Sequence, residues 1–87
     1  MAAIPREQCP HAPTVHADFT PDTHECAECG APGPTRVCLS CGHVGCCDST
    51  RGHATAHAKQ SAHPVIRSLP LSEGSFTWCY ECNAYLR

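Results

Sequence analysis

Three C-x2-C pairs punctuate the 87-residue chain, at Cys26/Cys29, Cys38/Cys41 and Cys79/Cys82. A two-residue gap lets a tight knuckle turn aim both sulfurs at one ion, at about 2.3 Å for zinc. Each pair is therefore half of a tetrahedral site. The remaining halves must come from Cys9, from Cys46 or Cys47, and from the imidazoles of His11, His53, His57 and His63. Six paired sulfurs, two further sulfurs and four imidazoles make twelve ligands, enough to close three four-coordinate sites.

Other chemistries compete for the same residues. A lone C-x2-C is also a redox dithiol, but three of them accompanied by His are a metal signature. His53 and His57 stand at i and i+4 on one helical face, as in zinc metalloproteases, yet Ala54 occupies the place of the Glu that would act as base. Once the ligands are assigned, no nucleophile, base and orienting partner are left, so the expectation is a protein that is not an enzyme. Cys47 is the ninth sulfur. It reads either as a small packing side chain or as a reactive thiol whose pKa a helix N-terminus and nearby metal would lower and Asp48 would raise. His16, His24 and His43 read as solvated or hydrogen-bonded surface residues.

Composition explains why metal is needed. Leu, Ile, Val and Phe together number 12 of 87 residues, below the level of roughly 20% at which an ordinary core becomes doubtful. Disulfides would be the other staple, but the cysteine count is odd and the pairs come with His. The N-terminus "MAAIPREQCP" has no apolar run after a basic start, and no stretch approaches a membrane span, so the expected setting is a reducing cytoplasm without membrane contact. The formal charge is −2, and three zinc ions with eight thiolates would take it to about −4. That sign excludes a phosphate-backbone binder.

The elements that must position the ligands are short. Residues 1–24, rich in Pro, Ala and His, predict an irregular arm tied down by Cys9 and His11. From His24 to Cys46, two knuckles are joined by a Gly and Pro connector that excludes helix, with a short strand around Val37 to Leu39. Asp48, Ser49 or Thr50 can cap an Ala-rich helix over about His53 to Gln60, which Pro64 stops. Val65 to Leu69 alternates as a strand, "PLSEGS" is a turn, and "FTWCYECNAYLR" reads as strand, knuckle and closing strand. The expected architecture is a single α+β domain over residues 1–87, a short twisted antiparallel sheet with one main helix and cross-braced zinc knuckles.

The succession "CPH" at Cys9, "CAECG", "VCLSCGHVGC", "GHATAHAKQSAHP" and "WCYECNAYL" resembles the UBP-type zinc finger of ubiquitin-specific proteases, of a histone deacetylase and of stand-alone proteins. The likeness covers nearly the whole chain. It implies three zinc ions and a division of their ligands: Cys9 and His11 with Cys79 and Cys82; Cys26 and Cys29 with Cys46 and His53; Cys38 and Cys41 with His57 and His63. The helix would then serve two interleaved sites. Cys47 falls where the family usually has Gly.

Family members that bind ubiquitin take its free C-terminal Gly-Gly tail into a narrow pocket, and a carboxylate taken from water needs donors and positive charge. By resemblance, Trp78, Tyr80 and Tyr85 match the aromatic wall of that pocket. Two positions depart: Asp48 stands where the family has Arg, and Arg36 where it has Trp. Either Arg36 and Asp48 pair across the mouth and close or alter the pocket, or Arg36 or Arg51 supplies the carboxylate donor from a new direction. The expected function is a zinc-binding, non-enzymatic protein-interaction module that takes a peptide or ubiquitin-like C-terminal tail through Arg36, Trp78, Tyr80 and Tyr85, with Asp48 and Arg36 weighing against ubiquitin itself. Two alternatives stand beside it, a zinc- or redox-responsive protein using Cys47 and the zinc thiolates, and a purely structural zinc module in which Trp78 and Tyr85 pack over knuckle backbone.

Overall fold

A computed structural model describes residues 2–11, 24–69, 72 and 74–87. The expectation for His16 and for much of the "PLSEGS" turn lies outside those residues. Among the described residues, short runs rich in Val, Ile and Thr form a six-stranded sheet, as β-branched side chains favour. In chain order the strands are β1 (Ala2–Ile4), β2 (Thr35–Cys38), β3 (Val44–Cys46), β4 (Val65–Leu69), β5 (Thr77–Cys79) and β6 (Ala84–Leu86), with helix α1 (His53–Ser61) between β3 and β4. Across the sheet the order is β1-β6-β5-β4-β2-β3.

The sheet is not wholly antiparallel, and the N-terminal arm is not wholly irregular. Ala2, Ala3 and Ile4 pair in parallel with Ala84, Tyr85 and Leu86, and a 3-10 turn follows at Arg6–Gln8. Nothing in "AAI" marks a strand, because it has neither alternation nor turn signals around it. The open edge of β6 supplies the pairing, and Ile4 supplies the apolar side chain that packs on the core.

Residues paired across strands share a face. Val37 opposite Val44, Val65 opposite Cys79, and Leu86 opposite Thr77 all fall on one side. There they join Leu39, Leu69 and Cys9 in the buried core, with Ile4 and Cys82 packed against it. The other side carries Gly45, Arg36 and Ser68 in one row, and Ile66, Trp78 and Tyr85 in a second.

Helix α1 rests on this second side at the β2–β3 end. Its start comes so close that a Cβ on Gly45 would lie 2.5 Å from the backbone N of Ala54, so only glycine fits there. Ala54 and Ala58 are its buried residues. The expected side-chain cap from Asp48, Ser49 or Thr50 is absent. Gly52 occupies the N-cap at φ 68°, and no side-chain cap hydrogen bond is made there. The preceding turn explains this: the N–H groups of Thr50 and Gly52 both donate to the Cys47 carbonyl at 3.0 Å, which requires a left-handed residue at its exit. Asp48 instead accepts the Thr55 hydroxyl at 2.7 Å.

Candidate metal centres and peptide pocket

Each knuckle places its sulfurs by local backbone bonds. The N–H of Gly30 donates to the Cys26 carbonyl, and that of Gly42 to the Cys38 carbonyl, both at 2.8 Å. The N–H of Cys82 points at the Cys79 sulfur, 3.4 Å away. Helix α1 then brings its imidazoles over the first two knuckles, His53 from its first residue and His57 one turn later.

Three clusters result: Cys9, His11, Cys79 and Cys82; Cys26, Cys29, Cys46 and His53; and Cys38, Cys41, His57 and His63, with the four ligand atoms of each within 4.8 Å of one another. A tetrahedron with arms of about 2.3 Å to sulfur and about 2.0 Å to nitrogen has edges of about 3.8 Å between sulfurs and about 3.5 Å from sulfur to nitrogen. In the first cluster Cys9 and Cys82 sulfurs lie 3.4 Å apart, and His11 Nδ1 lies 3.5 Å from both Cys79 and Cys82. In the second, His53 Nδ1 lies 3.4 Å from Cys26 and from Cys46, with Cys29 and Cys46 sulfurs 3.9 Å apart. In the third, Cys41 and His57 Nε2 are 3.3 Å apart. These separations lie within about 0.4 Å of the edges of a tetrahedral zinc site, and the three clusters are able to hold three zinc ions.

The electrostatics of the clusters point the same way. Burial, and then the sulfurs of Cys9 and Cys79, push the Cys82 thiol up to about 12. Burial likewise raises Cys79 and Cys38. Thiolates crowded this closely repel one another unless a cation stands among them. Cys26 is the exception: burial works against ionisation, but N–H groups around Cys29, Glu28 and Cys46 and the His53 ring outweigh it and lower the thiol to about 6. For His57, burial and then the neighbouring His43 and His63 favour the neutral ring, the form a metal binds.

On the helix-bearing side of the sheet lies a cavity of about 350 Å³. Arg36, Ile66, Trp78 and Tyr85 reach it from the strands, Phe76 from the start of β5, Tyr80 and Asn83 from the last knuckle, and Cys47, Asp48 and Ser49 from the turn before α1. Tyr85 meets both Phe76 and Trp78 edge to face, at centroid distances of 5.1 and 4.9 Å. Trp78 and Tyr85 thus line a pocket wall. The Arg36 guanidinium lies over Phe76, 4.9 Å from its centroid, and donates to the Thr35 carbonyl at 3.0 Å.

Arg36 and Asp48 do not pair. Asp48 accepts the Thr55 hydroxyl, and among the described residues no ion pair joins it to Arg36. The pocket is open rather than closed by an exchanged salt bridge. Arg51 is exposed and does not line it, leaving Arg36 as the pocket's cation.

Residues 26–87 match the model of a family described as "Zn-finger in ubiquitin-hydrolases and other protein". The chain belongs to this zf-UBP family of zinc fingers. Among curated relatives of the zf-UBP domain, the NAD-dependent deacetylase sir2A of Dictyostelium discoideum is 36% identical over 62 residues, covering 71% of this chain and 12% of that protein. Ubiquitin carboxyl-terminal hydrolase 44 of Ailuropoda melanoleuca is 34% identical over 71 residues, covering 82% and 10%. The chain thus spans about a tenth of the length of these relatives. A Rhodopseudomonas palustris protein solved by NMR in solution shares the fold at TM-score 0.73 and 38% identity, over 88% of this chain and 78% of that one. A chain of the SAGA DUB module matches at TM-score 0.60 and 26% identity, over 76% and 15%.

Within this zf-UBP domain, the pocket also holds residues that the sequence did not place there: Ser49, Ile66, Phe76 and Asn83. Phe76 carried a readable signal, since it precedes Trp78 by two residues and so falls on the same strand face. Cys47 is 7% exposed and lines the wall. Burial works against its ionisation, but the Ser49 N–H, the Thr50 and Ser49 hydroxyls and the Arg36 charge outweigh it and lower the thiol. His43 contacts the Glu28 carboxylate at 3.2 Å and also stacks on His57. His24 is exposed, and its carbonyl accepts the Thr35 hydroxyl at 2.5 Å.

Proposed function

We propose that this zf-UBP domain is a single unit stapled by three zinc ions through the twelve clustered Cys and His residues, and that it works without catalysis by docking the free C-terminal tail of a protein. The observation that carries the reading is Arg36, a guanidinium with no acidic partner among the described residues, fixed in the aromatic-walled pocket of Trp78, Tyr80 and Tyr85. Such a group offers a peptide carboxylate two parallel hydrogen bonds. The aromatic faces offer the preceding backbone a flat apolar wall. Asp48 at the same pocket weighs against ubiquitin's own tail, because a second carboxylate there meets repulsion. Eight ligand thiols stay available in a reducing compartment, so the cytoplasm is the proposed setting.

The test is a titration of the zinc-loaded protein with a peptide ending in Gly-Gly as the free acid and as the amide, read by amide NMR. Shifts at Trp78, Tyr80 and Tyr85 with the free acid alone are expected. Equal shifts with the amide, or shifts unchanged by Arg36→Ala in a variant that keeps three zinc ions, would overturn the proposal.

A further inference from the structure

The pocket is lined by both signs of charge, held apart. Arg36 is anchored at one wall by the Thr35 carbonyl and the Phe76 ring, and Asp48 at another by the Thr55 hydroxyl. Neither neutralises the other, and no other cation pairs with Asp48 among the described residues. Trp78, Tyr80 and Tyr85 line the same pocket. Both charges reach the Tyr80 phenol: burial raises its pKa and a Thr55 hydrogen bond works against the rise, and to a smaller extent the Asp48 charge adds to it while Arg36 opposes it.

A chain end that is only negative satisfies Arg36 and suffers from Asp48. A chain end that carries a carboxylate and a cation close together satisfies both. Two extended residues span about 7 Å, and a cavity of about 350 Å³ has room for little more, so both charges must come from the last two residues of the tail. The stem of a Lys or Arg would lie along the aromatic wall, its head over a ring face.

We infer that the pocket selects a protein C-terminus bearing Lys or Arg within its last two residues, with the terminal carboxylate on Arg36 and the basic head on Asp48. This rests on the carboxylate docking proposed above and adds the identity of the tail. Asp48 becomes the residue that sets specificity.

Trp78 is the one tryptophan of the chain, so its fluorescence reports occupancy directly. The zinc-loaded protein and its Asp48→Asn variant are titrated with free-acid peptides ending in Gly-Gly, Gly-Lys, Lys-Gly and Gly-Glu, and with the Gly-Lys amide. Asparagine keeps the acceptor that Thr55 uses, and zinc content checks the fold. The expected result is a basic-ended acid binding about tenfold tighter than Gly-Gly, with Gly-Glu weakest. In Asp48→Asn the Gly-Lys and Gly-Gly affinities should converge to within about twofold. Independently of any variant, the wild-type preference should shrink as salt rises from about 0.05 to about 0.5 M.

Equal affinity for Gly-Gly and Gly-Lys acids with a silent amide overturns the selectivity and leaves tail docking intact. A preference that survives in Asp48→Asn or in high salt also overturns it. An amide that binds as tightly as the acid overturns carboxylate docking, and the inference falls with it, as it does if no peptide binds.

Discussion

The imidazole of His43 lies flat on that of His57, ring centroids 4.0 Å apart and planes within 7° of parallel. His43 Nε2 also sits 3.2 Å from the Glu28 carboxylate, inside the Cys26/Cys29 knuckle. The second and third clusters are therefore joined by a chain of contacts, Glu28 to His43 to His57, in addition to the helix they share. Replacing His43 with Ala removes the stacking partner that holds the His57 ring in its rotamer. The expected loss is about 1 kcal/mol, read as a lower Tm and faster zinc release from the third cluster to a chelator, with Glu28→Gln following in the same direction but less.

Adjacent cysteines should behave oppositely. Cys46 sits in the second cluster with its sulfur 3.4 Å from His53, whereas Cys47 faces the pocket. Structural zinc contributes about 10 kcal/mol or more to folding at such a site. Cys46→Ser should purify with fewer than three zinc ions and little cooperative unfolding, and Cys47→Ser with all three and a near-normal melt. Metal analysis by mass spectrometry under non-denaturing conditions separates the two.

Gly45 should tolerate nothing larger. A methyl group at this position would fall 2.5 to 2.9 Å from backbone atoms of His53 and Ala54, which no rotamer change relieves. Pushing α1 away also moves His53 and His57 from their sulfurs. Gly45→Ala is expected to cost about 3 kcal/mol or more, while alanine at Gly30, where nothing lies within 4 Å, should cost less and only through its φ of 74°. Thermal melts of the two variants check the contrast.

Metal removal should reverse the response to alkali. Cys82 rises from an ordinary thiol value of 9.0 to about 12 in the folded chain, by burial and by its neighbouring sulfurs. A raised folded pKa means that the stability tied to this proton is present below pH 9 and is lost as pH climbs toward 12. Whatever residual structure the chelator-treated chain keeps should therefore weaken over that window. With zinc the ligand must be a thiolate, so the loaded protein should instead weaken as pH falls and protons compete for the sulfurs. Circular dichroism against pH, with and without EDTA, tests both signs.

Much of the metal scaffold was legible because zinc ligation has a local grammar. The spacing of Cys26/Cys29, Cys38/Cys41 and Cys79/Cys82 fixes knuckles whatever the tertiary context, and β4 runs from Val65 to Leu69 as its alternation implies. What escaped depended on distant partners. β1 exists because β6 offers an edge, β3 because β2 lies beside it, and the Gly52 cap because the Cys47 carbonyl gathers two N–H groups first. Whether Arg36 pairs with Asp48 stayed open for the same reason, since Phe76 and Thr55 claim the two charges from other elements of the fold.

The interleaving of the clusters also sets an order of assembly. As the chain emerges from N to C, the second cluster is complete only when His53 appears, the third when His63 appears, and the first last, although its opening ligands precede all the others. Cys9 must wait across 73 positions for Cys82. A nascent chain would thus carry Cys9 and His11 ahead of Cys79 and Cys82, open to the wrong ion or the wrong knuckle until β5 and β6 arrive. The last metal to be secured closes the N-terminal arm onto the sheet, so the fold is sealed from its two ends at once.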